Sequence, residues 1–368
     1  MGRGIVTLNE GLYTVSSAFY ESVQIFMLIL LAIICLLMVI LVAIHLHARS
    51  RVKSKLRLKR NIAKTVKEAM SSKSTEQSIN SLITKSKIFS RRGLATISEV
   101  LDAMDEENQK KLRDILIKMK CGKYLAEQLK SDNEDFLAEI IRLAAELNLV
   151  ELVDDIERVM VLHAENINVQ YEAFLALSKL GSYDSIVNIC IKKDFPISLT
   201  FRSLQEVISA YSGDKSALYK ALLKSNDAYV VRVCVRLIGN EKIKEHAPSI
   251  EGFLDEDNIN LLIDTMRALS NIQYKPVMDK LAGLMKHERW EVRSAAVNAV
   301  AAMDTHANVD NLVLALQDSE WQVRFNAGVV LGKVEDSGII RDKVAASGDK
   351  FAMDMFESFV QLANIGRA

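Results

Sequence analysis

The stretch HERWEVRSAAVNAVAAM (His287–Met303) is followed closely by DSEWQVRFNAGVVLGKV (Asp318–Val334), and these two segments decide how the chain is read. Trp290 and Trp321 are its only tryptophans, 31 residues apart, and after each comes one residue and then Val-Arg. Two rare residues at one phase mark either a recognition feature or a repeat. With the arginine of Val-Arg as phase marker, Arg293 and Arg324 fall in a column whose upstream members are Leu262, Arg232, Arg202, Gln170 and Glu139. Downstream the column continues at Asp354. From Glu139 to Asp354 the successive intervals are 31, 32, 30, 30, 31, 31 and 30 residues. A fixed period of this size belongs to repeat architectures, in which one unit cannot bury its apolar face alone and stacks on its neighbours.

Each unit reads as two helices. NVDNLVLALQD (308–318) is a short helix with one apolar face, a turn follows, and WQVRFNAGVVLGKV is the second helix. Small residues such as Ala173, Ala296 and Ala327 let neighbouring helices approach, and Asp318 suits the capping of the turn. Few aromatics and three prolines in 368 residues agree with an all-α chain. The pattern D-x4-V-R-x2-A in Asp318…Val323-Arg324…Ala327 resembles the short bacterial HEAT repeat. His287 and Asn226 stand at the Asp position in the units of Arg293 and Arg232, and the upstream units keep only the hydrophobic spacing. The resemblance covers about residues 93–368. It implies a HEAT-type α-solenoid of about eight two-helix repeats, whose second helices line a surface for protein partners.

Within that frame Trp290 and Trp321 are expected at the first turn of the second helix. They share that column with Ile167, Leu199, Tyr229, Ile259 and Phe351. An apolar and aromatic column of this kind reads as packing between neighbouring repeats. By the same resemblance Arg202, Arg232, Arg293 and Arg324 form a ladder with turn acids or contribute, with the tryptophans, to a partner surface.

The remainder of the chain is organised differently. Residues 23–44, VQIFMLILLAIICLLMVILVAI, carry no formal charge, and as a helix they reach roughly 33 Å, enough to cross a hydrocarbon core. A signal peptide fits less well, because the segment is long, its preceding flank is acidic and no small-x-small cleavage site follows. Next comes a basic collar beginning with Arg49, Arg51, Lys53, Lys55, Arg57, Lys59 and Arg60. Residues 49–92 hold 14 Lys/Arg against Glu68 and Glu76, a net of +12, whereas residues 93–368 hold 32 Lys/Arg against 43 Asp/Glu, a net of −11. Positive charge stays on the cytoplasmic side. The sequence therefore predicts a single-pass protein of the cell membrane, with residues 1–22 outside, a transmembrane helix over 23–44, a juxtamembrane linker over 45–92 and a cytoplasmic repeat domain over 93–368. Beside a membrane, the collar is expected to meet anionic lipid headgroups rather than nucleic acid.

Catalytic signatures are missing from the sequence. It holds no phosphate-binding loop, no G-x-G-x-x-G, no H-E-x-x-H and no G-x-S-x-G, and no metal or cofactor set is predicted. Cys35, Cys121, Cys190 and Cys234 form no C-x-x-C pair and read as reduced thiols. Two enzyme classes use similar scaffolds. A DNA glycosylase is disfavoured by the acidic body, while a lyase-like activity on a membrane-proximal substrate stays as the alternative, beside a sensor of membrane state. The expected function is that of a membrane-anchored adaptor that recruits or regulates a protein partner. The layout resembles that of accessory components of membrane glycosyltransferases in envelope or exopolysaccharide synthesis.

Overall fold

In a computed structural model the described residues are most of 24–64, then 91–118, 120–191, 199–334 and 337–365. The segments 1–22 and 65–90, and with them the expected outer segment and most of the linker, lie outside these residues, as do Arg51 and Lys55 of the collar. The chain divides into two compact units, Met1–Met119 and Lys120–Ala368.

The first unit contains the helix α1 (Phe26–Asn61), 36 residues long, whose most apolar window has a mean hydropathy of 3.5 and none of whose apolar side chains is buried. By length and composition it suffices to cross a membrane. The collar does not break this helix: Arg49, Lys53, Arg57, Lys59 and Arg60 continue it. Two short helices follow, α2 (Arg91–Asp102) and α3 (Glu106–Lys118). They bury Leu94, Ile97, Leu101, Leu112 and Leu116, and Glu99 of α2 pairs with Lys59 at 3.4 Å.

The second unit is a succession of helix pairs, with no strand among the described residues. The pairs are α4 (Cys121–Gln128) with α5 (Glu134–Glu146), α6 (Val153–Leu162) with α7 (Ile167–Lys179), α8 (Tyr183–Ile191) with α9 (Phe201–Ser209), and α10 (Lys215–Leu222) with α11 (Ala228–Asn240). They continue as α12 (Ala247–Glu251) with α13 (Ile259–Ile272), α14 (Met278–Leu284) with α15 (Trp290–Asp304), α16 (Val309–Ala315) with α17 (Trp321–Leu331), and α18 (Ser337–Ala346) with α19 (Lys350–Ile365). Every second helix packs on the second helix of the next pair, without interruption from α5 to α19. This order of contacts makes the unit a helical solenoid. Each second helix is apolar on the sides that meet its own first helix and its two neighbours, as in α13, which buries Leu261, Leu262, Thr265, Met266, Ala268, Leu269 and Ile272.

Local chemistry fixes where the helices start and stop. Asn133, Asn166, Thr200, Asp227 and Asn258 are the N-caps of α5, α7, α9, α11 and α13, each accepting a backbone N–H of the first turn through its side chain. Four second helices end alike, with Asn148, Gly181, Lys242 and Gln273 in the left-handed region. In the last two, the N–H of Lys242 bonds to the carbonyl of Gly239 and that of Ile243 to Ile238, while the N–H of Gln273 bonds to Ser270 and that of Tyr274 to Leu269. This is the paired C-terminal bonding that turns the chain sharply into the next first helix. Gly239 is required for a different reason: a Cβ there would lie 2.5 Å from the Cα of Ala268, where α11 meets α13.

Candidate partner-binding surface

The arginine of Val-Arg does two jobs, and the two best-matching units perform the first of them identically. Arg293 donates from Nη1 to the carbonyls of His287 and Glu288, both at 2.9 Å. Arg324 donates to the carbonyls of Asp318 and Ser319, at 2.6 and 3.0 Å. Each guanidinium thus fastens the turn that precedes its own helix. Asp318 closes that turn by accepting the N–H of Glu320 at 2.9 Å, and His287 at the equivalent place accepts the N–H of Arg289 through Nδ1 at 3.0 Å. His287 therefore takes over the capping role of the aspartate, with its proton on Nε2.

The second job joins neighbouring repeats. Arg293 forks onto Asp318 of the next pair, with Nε at 2.7 Å and Nη2 at 2.8 Å. Burial alone would raise the Asp318 carboxyl, but the Arg293 fork and the N–H of Glu320 outweigh it and hold the group below its ordinary value. Arg232 takes a different partner: it meets Asp264 on the next second helix at 2.9 Å, and Arg236 meets the other oxygen of the same carboxylate at 2.7 Å. Asp264 is almost wholly buried. Arg142 likewise pairs with the buried Glu172 of the following second helix, which pushes the guanidinium above its ordinary value. Arg202 is exposed. The links between repeats thus run through a turn acid at Asp318 and through buried acids of the second helices at Asp264 and Glu172. The sequence reading missed Arg142, Glu172, Arg236 and Asp264. Their one signal was a carboxylate on an otherwise apolar helical stripe.

The aromatic column is placed as expected but does not pack as expected. Trp290 and Trp321 are the first residues of α15 and α17, and Phe351 is the second residue of α19. Their relative exposures are 39, 54 and 78%, and Ile167 is 59% exposed, whereas Leu199 alone in the column is buried. A first-turn side chain points back toward the helix N-terminus and away from the neighbouring second helix, which places this column at the rim of the stack. Trp321 rests against Phe325 with ring centroids 4.9 Å apart, and Phe325 meets Phe359 of α19 edge-on at 5.1 Å. Phe201, the first residue of α9, differs from the two tryptophans. Tyr229 lies edge-on to its ring, and the guanidinium groups of Arg232 and Arg236 stand over it at 5.2 and 4.7 Å from the centroid.

A groove of about 730 Å³ opens near the C-terminal ends of α15 and α17, lined by Ala301, Ala302, Asp304, His306, Val329 and Lys333 among others. Asp304 is occupied there in capping the next turn, through the N–H of Ala307 at 3.0 Å. Among the described residues no three His, Cys, Asp or Glu side chains converge as a metal site. Cys121 and Cys190 are buried, and burial pushes their thiols up to about 11 and about 12. Both are protonated and unreactive near neutral pH.

No protein-family model matches the chain, and no curated protein matches it. Among solved structures, an engineered protein is similar over 83% of this chain and 99% of its own length, at 17% identity and a TM-score of 0.34. Importin beta is similar over 80% of this chain, at 15% identity and a TM-score of 0.42, and the match spans about half of its length, 49%. A designed armadillo repeat protein in complex with the peptide (KR)4 is similar over 65% of this chain and 98% of its own, at 16% identity and a TM-score of 0.21. At these scores the repeat assignment rests on the helix pairing and contact order of the chain itself.

Proposed function

We propose that the protein is a membrane-anchored adaptor: α1 crosses the bilayer, the collar lies against anionic headgroups, and a cytoplasmic HEAT-type solenoid recruits a protein partner. The observation that carries this reading is the row of exposed aromatic side chains at one position of consecutive second helices, within a unit built from a repeated pair. Surface aromatics on a soluble face are stabilised by a partner that covers them, and stacked repeats present them as an extended, regular surface. What supports the anchor is α1 itself, whose described apolar side chains are exposed along its length. In its most specific form the proposal names an integral membrane glycosyltransferase as the recruit, oriented with the protein's N-terminus outside and residues 93–368 in the cytoplasm.

Two experiments test it. Full-length protein in native membranes should stay in the pellet after alkaline carbonate extraction, and release into the supernatant would remove the anchor. A photo-crosslinking amino acid at position 321 should yield one defined protein adduct in living cells. A lyase-like enzyme would instead show no adduct at 321 and lose activity when the groove residue His306 is substituted.

A further inference from the structure

The exposed aromatics and the charges around them describe what they bind. Trp290, Trp321 and Phe351 open three consecutive second helices, and half-buried Ile259 opens the one before. Their turns differ in charge. Asp255, Glu256 and Asp257 precede Ile259, and Asp318 and Glu320 precede Trp321. By contrast, Lys286 and Arg289 balance Glu288 and Glu291 around Trp290, and Lys350 balances Asp349 before Phe351. Seven of the eight turns from first to second helix lie within the described residues. Counted from the end of the first helix to the second residue of the second helix, these seven hold five Lys/Arg and thirteen Asp/Glu, a net of −8. The opposite edge is acidic as well, with four Lys/Arg and eight Asp/Glu over its six turns within the described residues, but among those residues it has no aromatic row in three consecutive pairs. An aromatic face with carboxylates beside it attracts a guanidinium or ammonium group through both its quadrupole and the nearby charge.

Among the described residues this contact is already present at Phe201. Phe201 also opens a second helix, two residues past the aromatic column, whose member in that pair is Leu199, and there two of the protein's own guanidinium groups cover the ring at 5.2 and 4.7 Å. In the later pairs Arg293 and Arg324 are turned to the carbonyls of their own turns, and the rings stay exposed. Spacing refines the occupant. Packed helices lie about 8–10 Å apart, and a polyproline II segment advances about 9 Å in three residues and returns the same face each time.

We propose that the edge formed by the N-terminal ends of α13, α15, α17 and α19 binds an extended segment of a partner protein that carries Lys or Arg at every third position. This rests on the adaptor reading and gives its partner a chemistry. The basic side chains stack on Trp290, Trp321 and Phe351, and the acidic excess that holds them lies in the turns before Ile259 and Trp321.

The test uses the full chain in neutral detergent and a fluorescent 15-residue probe of five Arg-Ser-Pro units, read by anisotropy. Binding is expected to weaken as salt rises. The triple variant W290A/W321A/F351A should bind at least tenfold more weakly while keeping the wild-type circular dichroism and a cooperative melt, lowered only by the loss of partly buried ring area such as the contact of Trp321 with Phe325. The conservative pair W290F/W321F, which keeps a ring face, should retain most of the binding. Affinity within twofold of wild type in the triple variant would overturn the proposal, as would equal binding of a probe with the five arginines contiguous. Tighter binding of a peptide spanning the chain's own residues 49–64 would reassign the edge to self-contact. A partner crosslinked at 321 but recovered equally by the triple variant would leave the adaptor standing and remove the edge from it. Ring-dependent probe binding without any cellular partner would do the reverse.

Discussion

At the scale of single residues, the arginines and acids of the second helices set the stability of each junction between repeats. Asp264 is the clearest case, a buried carboxylate held by Arg232 and Arg236. Removing both arginines strands a charge in the core, which costs about 3–5 kcal/mol. The double variant R232A/R236A should therefore melt far below wild type by calorimetry, and adding D264L should recover part of the loss. Asp318 gives a pH signature. Its carboxyl titrates below the ordinary value in the folded protein, so its contribution is complete above about pH 4 and is lost as pH falls through the folded value. D318N should lower stability at pH 7 and flatten the fall in stability under acid; a wild-type acid profile in D318N would contradict the assignment. The sequence made Arg293 and Asp318 legible through their repeat phase. It hid Asp264 and Glu172, because a carboxylate on an apolar stripe looks like a surface interruption until a guanidinium from the next repeat is placed against it.

At the scale of elements, the helix ends show why the period was readable and the turn chemistry only partly so. Apolar spacing repeats in every unit, since each second helix must meet the same three neighbours. The left-handed C-terminal residue also repeats, but three of the four are Asn148, Lys242 and Gln273, and only Gly181 advertises the conformation. Lys242→Gly relieves a side chain from the left-handed region and should stabilise by about 0.5–1 kcal/mol, a rise of a few degrees in melting temperature. Gly239→Ala should do the opposite. A methyl would press on the backbone of Ala268, and overpacking of this kind costs about 1–3 kcal/mol. The tryptophans open their helices, but both side chains stand exposed rather than packed between repeats. Phase along a helix fixes position, whereas burial at the rim differs from pair to pair, from the buried Leu199 to the exposed Trp321 in one column.

At the scale of the whole chain, charge and hydropathy divide the labour. In the proposed adaptor the net of +12 over residues 49–92 and the long apolar helix serve location, while the acidic repeats with their aromatic edge serve recognition. The account predicts that neutralising Arg49, Lys53, Arg57 and Arg60 weakens association with anionic vesicles in flotation without changing probe binding at the edge. The two functions are separable because their residues fall in different units. Whether the aromatic edge recruits a partner is decided by quantitative mass spectrometry of the full chain purified in mild detergent from its native host, beside the W290A/W321A/F351A variant. The account predicts one stoichiometric partner with the wild type, carrying an extended segment with Lys or Arg at every third position, and its loss from the variant. Recovery of the wild-type protein with lipid alone would contradict it.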